Sequence, residues 1–327
     1  MKKVLGIGNA LTDILLQIEQ DDILVKLNLP KGSMQLVDDQ KMAEINKIVG
    51  HYAKKMATGG SAANTINGIT RLGANAGLIG KLGNDEIGAF FTYDSIQNGV
   101  TPLFLQSDSA SGCCTVLVSP DSERTMCTFL GAACELSADD LNLEMFSGYD
   151  FFHIEGYLVF NEDLILKAVQ LAKEAGLKVS IDLASYNVVD AKLDFLKMIV
   201  SDYVDIVFAN EEEARSFTGK EPEEALNVIS ELCEIAIVKI GKDGSYIKTG
   251  DYTVQINARL SNCIDTTGAG DLYAAGFLYG LANGYTLEQS GKIGSLVSGN
   301  VVEVLGAKMT DEVWDTIQLE MDEIIVC

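Results

Sequence analysis

Asp265-Thr266-Thr267-Gly268-Ala269-Gly270-Asp271-Leu272-Tyr273-Ala274-Ala275-Gly276-Phe277-Leu278-Tyr279-Gly280 reads as a tight turn running straight into a helix. Gly268 and Gly270 admit backbone angles closed to other residues and let a ligand come close. Ala274, Ala275, Phe277 and Leu278 then give a helical apolar stripe. The first amides of a helix lack partners within it and lie at the positive end of the macrodipole, so a glycine-rich turn feeding them is an anion site. Asp271 stands at the edge of that site, where an anion would not want a carboxylate. The conflict resolves if an alcohol must be deprotonated beside a transferring phosphoryl group. The plainer alternative is a helix start capped by Thr267 or Asp271, with glycines for packing, and this stretch alone leaves both open.

A second glycine-rich turn, Thr58-Gly59-Gly60-Ser61-Ala62-Ala63-Asn64-Thr65, precedes a helix expected to reach about Leu72. Asn64 would project an amide from its first turns; small residues packed against a sheet would explain the same pattern. From Ala74 onward, strands expected at 76–80, 150–154, 177–182, 204–208 and 235–240 alternate with helices at 84–98, 161–175, 187–200, 211–217 and 221–232. A hairpin at 244–248 and 252–256 and helices near 268–282, 286–304 and 311–320 follow. Apolar strands between amphipathic helices make a mainly parallel sheet covered on both faces. Val4 to Gly8 is its buried first strand, and Asp38 starts a helix to about Val49. Four β-like pieces do not fit the alternation: 12–19, 33–37, Cys113–Val118 and Arg124–Phe129, the last two joined by the turn Ser119-Pro120-Asp121-Ser122. They are grouped as a small sheet standing off the main domain, a lid formed by about 12–37 and 110–130 within one domain of 1–327.

The 327 residues are 47% apolar and 22% charged, ordinary for one large α/β domain with a sizeable core. A formal charge of −23 argues against nucleic acid or an anionic membrane as partner. A phosphate ligand must then be held by local amides, a metal and a few chosen cations. Seven cysteines without metal-like spacing fit a reducing, cytoplasmic setting. With only His51 and His153, a multi-histidine zinc site is excluded and a Ser-His-Asp triad disfavoured. No apolar segment is long enough to span a membrane. The Gly-Lys pairs at 80–81, 219–220, 241–242 and 291–292 lack the Ser or Thr of a P-loop, and Gly6-Ile7-Gly8 does not extend to a dinucleotide fingerprint.

What remains is Gly-Gly-x-x-x-Asn early and Asp-Thr-x-Gly-Ala-Gly-Asp late. This ordered pair resembles the PfkB, or ribokinase-like, family of sugar and nucleoside kinases. The resemblance extends to Phe129-Leu130-Gly131-Ala132, Asn210-Glu211-Glu212-Glu213, Val238-Lys239-Ile240-Gly241-Lys242-Asp243-Gly244 and Leu305-Gly306-Ala307. It implies a three-layer α/β/α ribokinase-like fold with a small β-sheet lid, and an enzyme that passes the γ-phosphoryl of ATP to a hydroxyl. Carried over residue by residue, Asp271 is the general base. Gly268, Ala269 and Gly270 supply amides to the transferring group, and Arg124 is a lid cation for it. Asn9, Asp13, Gly59, Gly60 and Asn64 hold the sugar moiety; Glu155 is either a further sugar contact or a polar strand end. Asn210, Lys239, Gly241, Gly244 and Asn300 lie along the nucleotide. Glu213 approaches Mg2+ through water, and its spacing from Asn210 also reads as a capping box. Asp265 and Thr267 match a K+ site of some relatives.

Gly8-Asn9-Ala10-Leu11-Thr12-Asp13-Ile14, Arg124-Thr125-Met126 and His153 to Leu158 lean toward adenosine kinases, with the base in an apolar slot at Leu36, Phe129 and Leu130. The alternatives are a sugar kinase of the ribokinase, fructokinase or 2-keto-3-deoxygluconate kinase type, or a non-catalytic nucleotide or sugar binder. A homodimer through the lid is also expected.

Overall fold

The computed structural model describes residues 1–121 and 123–326, so Ser122 of the expected turn lies outside the described residues. In chain order the strands are β1 Val4–Ile7, β2 Leu11–Gln17, β3 Met34–Leu36, β4 Lys54–Gly59, β5 Ala76–Gly83, β6 Val100–Ser107 and β7 Cys113–Val118. Then come β8 Arg124–Phe129, β9 Phe151–Glu155, β10 Lys178–Asp182, β11 Ile206–Asn210, β12 Ile235–Lys239, β13 Ser245–Thr249 and β14 Tyr252–Ile256. Nine form one sheet in the order β14-β13-β12-β11-β10-β9-β1-β5-β6. It is parallel except for the β12-β13-β14 meander.

Side chains alternate across each strand, so both faces of this sheet find cover. Ile206 and Phe208 point to the layer holding Leu272, Phe277, Ile293, Val297 and Trp314. Val207 and Ala209 point to the opposite layer, with Ile165, Val169, Leu196 and Phe217. The result is the expected three-layer α/β/α arrangement. In the middle of the sheet His153 on β9 is fully buried, its Nδ1 3.0 Å from Ser180 Oγ. Burial pushes its imidazole down to about 4.

The second sheet has five strands in the order β3-β8-β7-β2-β4. It unites the four pieces that broke the alternation and adds β4, which lies outside the two expected segments. β4 starts with Lys54-Lys55 and carries little apolar pattern; as an outer strand it needs none. β6 also went unread. Pro102 interrupts it, and proline is tolerated because β6 is the sheet's last strand, bonded only to β5. One face of the small sheet, through Ile14, Leu16, Cys113, Leu117 and Cys127, packs on the helices Asp22–Lys26 and Asp39–Val49. The other face carries Asp13, Cys114, Thr128 and Leu36 in one cross-strand row. Phe129 lies on the packed face, against Cys113, so it cannot share a slot with Leu36.

Gly244 has φ +98°, and a Cβ there would drive into the Ile256 carbonyl oxygen. Gly244→Ala should therefore destabilise the fold by about 3 kcal/mol, combining strain at positive φ with displacement of β14. Urea unfolding of the variant against the native chain measures this, and an unchanged midpoint would contradict it.

Candidate active site

The parallel strands end in polar residues that gather along one edge of the large sheet. Asn9 follows β1, and Glu155, Asp182, Asn210 and Lys239 close β9 to β12. Carboxyl ends of parallel strands are where open α/β sheets meet ligands. Onto this edge two helices bring their N-termini, Ser61–Arg71 after the double glycine and Ala269–Ala282 after the late turn.

Both turns need glycine. Gly60 takes φ +92°, and a Cβ there would strike the Asn9 carbonyl; one on Gly59 would stand 2.7 Å from the Asp13 carboxyl. Gly268 takes φ +78° as the cap of the late helix, and its missing Cβ leaves room for Ala307. The Ala269 amide donates to Thr266 O at 3.1 Å. It is therefore spent on the turn and is not a free donor, contrary to the expectation. The amides of Gly268, Gly270 and Asp271 donate to no acceptor among the described residues.

Asp271 joins the two turns. Its Oδ1 accepts from Ser61 Oγ at 2.7 Å and its Oδ2 from Asn64 Nδ2 at 3.0 Å. Thr65 Oγ1 donates to its carbonyl at 3.1 Å. The carboxyl is thus held by neutral donors and forms no ion pair among the described residues. Burial raises it to about 6, against the lowering effect of the Asn64 and Ser61 hydrogen bonds. A helix N-terminus alone would have kept it lower; desolvation outweighs the dipole here. It remains mostly ionised at neutral pH.

Behind the first turn, Glu155 is fully buried and accepts from Asn9 Nδ2 at 2.6 Å and from Ala62 N at 3.1 Å. Asn9 is thereby committed to Glu155. Burial lifts Glu155 to about 7. Further along the edge, Lys239 Nζ donates to Asp182 Oδ2 at 2.7 Å. Burial works to raise Asp182, but the adjacent ammonium prevails and holds the carboxyl below its ordinary value. Next to this pair, Asn210 and Glu213 form the capping box in full. Glu213 N donates to Asn210 Oδ1 at 2.8 Å, while Asn210 N and Nδ2 donate to the Glu213 carboxylate at 2.8 and 2.7 Å. Burial, reinforced by Asp182, raises Glu213 to about 7.

Arg124 crosses from β8 to the late turn. Its Nη1 donates to Asp265 Oδ2 and, at 3.1 Å, to Thr267 Oγ1. Asp265 also accepts from Thr267 N at 3.0 Å, from Thr267 Oγ1 at 2.7 Å and from Gly306 N at 2.8 Å. Asp13 lies on the open face of the small sheet, raised to about 6 by burial. A Cβ on Gly241 would meet only the Glu211 carboxylate, at 4.0 Å, whereas Gly244 is needed by the hairpin, and Asn300 is buried, its Nδ2 donating to Leu296 O of its own helix at 2.9 Å. The early and late motif residues therefore converge on one cleft edge, while Gly244 and Asn300 serve local backbone needs. Ser61 and Asp182 escaped the sequence reading. A serine directly after Gly-Gly and an aspartate ending an apolar strand were the available signals.

A helix N-terminus with spare amides, a half-buried carboxylate beside it and a lysine–carboxylate pair at the strand ends are the kinds of group that phosphoryl transfer to a hydroxyl requires. The profile described as pfkB family carbohydrate kinase matches residues 35–313. The chain belongs to this family. As a pfkB family kinase it is a phosphotransferase acting on a hydroxyl group of a small sugar or nucleoside. It is similar over 98% of its length, at 33% identity and TM-score 0.85, to a probable sugar kinase from Rhizobium etli CFN 42, covering 99% of that chain. It is as similar to an adenosine kinase from Sinorhizobium meliloti, at 32% identity and TM-score 0.85, with 98% and 99% of the two chains covered. An adenosine kinase from Saccharomyces cerevisiae is 27% identical over 94% of this chain and 96% of its own length. Among the described residues no helix is long and apolar enough to cross a membrane.

Buried carboxyls raised above their ordinary values bind protons that the unfolded chain has already released. Between pH 5 and pH 7.5 Asp13, Glu155, Glu213 and Asp271 of this pfkB kinase all behave so, while His153, lowered to about 4, works the other way. Carboxyls held low, such as Asp182 and Asp265, titrate below that window. For Glu155 the stabilising contribution is complete below the unfolded value of 4.5 and is lost as pH rises through about 7. The urea midpoint should accordingly fall between pH 5 and pH 7.5, and the fall should be smaller in Glu155→Gln. Equal slopes in the two proteins would contradict the assignment.

Proposed function

We propose that the protein transfers the γ-phosphoryl group of ATP to a primary hydroxyl of a nucleoside, adenosine being the favoured acceptor, with Asp271 as general base. The observation that carries this is the Asp271 carboxylate, held by Ser61 and Asn64 beside the spare amides of the late helix. Ser61 and Asn64 keep the carboxylate from swinging into the anion site, so it faces a hydroxyl rather than a phosphate. A base near 6 is ionised at neutral pH yet basic enough to take the proton as the hydroxyl–phosphorus bond forms. The amides of Gly268 and Gly270 would bind the charge on the transferring group. Arg124, anchored on Asp265, lies over the same turn and ties the small sheet to it, which supports a lid role for that sheet.

Asp13 on the lid's open face would accept hydrogen bonds from ribose hydroxyls, with Leu36 offering an apolar surface in the same row. The nucleoside reading also draws support from the adenosine kinases among its relatives. Lys239 and Gly241 would lie along the nucleotide. Among the described residues no group of three or more His, Cys, Asp or Glu could hold a metal ion, and both Glu213 oxygens already accept from Asn210. This donor set fits Mg2+ carried in by the nucleotide, with Glu213 reaching it through water. When bound, Mg2+ would neutralise phosphate charge. K+ at Asp265 and Thr267 fits poorly, because Arg124, Thr267 and Gly306 already occupy the Asp265 oxygens. Dimerisation through the outer strands β3 and β4 belongs to the same reading, and sedimentation of a monomer would remove it.

Asp271→Asn should lower kcat by about four orders of magnitude while ATP affinity changes little. The native enzyme should lose kcat/KM below about pH 6 as Asp271 protonates. Phosphate transfer to adenosine, inosine, ribose, fructose and 2-keto-3-deoxygluconate tests the acceptor. Turnover preserved in Asp271→Asn would end the general-base assignment; a sugar preferred over adenosine would end the nucleoside one.

A further inference from the structure

The segment Gly306-Ala307-Lys308 lies against both ends of the site. Gly306 N holds Asp265 Oδ2 and Ala307 packs where a Gly268 side chain would be. One residue later, Lys308 turns toward the acceptor end. Its ammonium is buried and makes no hydrogen bond to any described residue. It lies in the wall of a cleft of about 420 Å3 that also includes Met56, Asn67, Arg71, Asp94 and Trp314. The cleft flanks the acceptor site, since Ala57 of the same wall pairs with Asp13 across β4 and β2.

The charged groups facing Lys308 come from every neighbouring element. Asp13 is on β2, Asp94 on the helix Glu86–Gln97 and Arg71 on the helix Ser61–Arg71. Lys55 on β4 and Asp311 and Glu312 on the last helix share the cleft wall. Most of these are already engaged. Asp94 accepts from Thr58 Oγ1 at 2.7 Å, and Arg71 pairs with Asp311 at 2.5 Å and lies over Trp314. Asp13 has two cations in its surroundings, Lys308 and Arg124. Arg124 is ion-paired with Asp265, so its charge is largely answered elsewhere. Among the described residues Lys308 pairs with no carboxylate; the neutral Thr58 hydroxyl leaves the charge of Asp94 in place, so the field of Lys308 falls on Asp94 first and on Asp13 beside it.

Resting on the kinase reading above, we propose that Lys308 is a positioning residue for the acceptor: its sealed ammonium holds the Asp13 carboxylate in the charged form that accepts the acceptor's hydroxyls. An unpaired buried ammonium is costly, and an apolar side chain of the same length would pack there at lower cost. The charge itself is what a methionine could not supply. Burial lowers Lys308 to about 8 and raises Asp13 to about 6, so near neutral pH the pair is largely charged on both sides. Removing the ammonium leaves Asp13 buried with only the compensated Arg124, and its proton should be held to higher pH.

Two readouts test this in the full chain with Lys308→Met and Lys308→Arg. The first is the carboxyl 13C signal of Asp13, assigned by its loss in Asp13→Asn and followed against pH. Its midpoint should rise by about one unit in Lys308→Met and return in Lys308→Arg. The second is adenosine affinity by calorimetry without ATP. Lys308→Met should weaken it about tenfold at pH 5.5 and hardly at all above pH 8, with ATP affinity unchanged and thermal stability no lower than native. An Asp13 midpoint that does not move, or a loss of affinity by the same factor at every pH, would overturn the proposal. The Asp13 titration does not depend on which acceptor is used: if the native protein binds no adenosine, the acceptor assignment fails while the midpoint still decides the role of Lys308.

Discussion

A carboxylate whose two oxygens are held by neutral donors from a helix 207 and 210 residues earlier in the chain sets the terms for this molecule. Asp271 cannot be ion-paired there without losing its basicity, and the late helix packing into the core behind it strips away part of its hydration. Ser61 and Asn64 are the compromise: they satisfy its lone pairs without adding charge. Holding them in place requires the early helix to start at one spot, which in turn requires Gly60 at positive φ and Glu155 bonded to Ala62 N. The geometry of the late motif thus depends on the early one.

Burial then tunes the whole edge. Asp13, Glu155, Glu213 and Asp271 are each lifted toward neutrality, whereas Asp182, in contact with Lys239, is held low. The difference is one of partners: amides and hydroxyls offset part of the desolvation, and a touching ammonium offsets all of it. In a chain of charge −23 this placement of a few cations matters. Arg124 and Lys239 are each paired with a carboxylate on a different element, Asp265 and Asp182, while the Lys308 ammonium is buried without a partner among the described residues.

The small sheet is bound to this arrangement by more than its connections. Its packed face has its own core, so it folds as a unit on the helix Asp39–Val49. Its open face is joined to the late turn by the Arg124–Asp265 pair. That contact is not the sheet's only tie to the main domain: Thr58 on β4 donates to Asp94 on the helix Glu86–Gln97 at 2.7 Å.

Hydrophobic period and turn chemistry were enough to read the central sheet, its covering helices and the presence of a second sheet, because each rests on local pattern. The paired glycine motifs were equally legible, since only glycine meets the backbone demands at Gly60 and Gly268. β4 and β6 were not, because outer strands tolerate lysine and proline and carry no full apolar pattern. Nor were Ser61, Asp182 and Lys308, or the loss of the Ala269 amide to Thr266 O. Their roles depend on which groups meet across the cleft and how deeply they are buried. Desolvation and long-range contact are properties of the folded chain, and no window of sequence contains them.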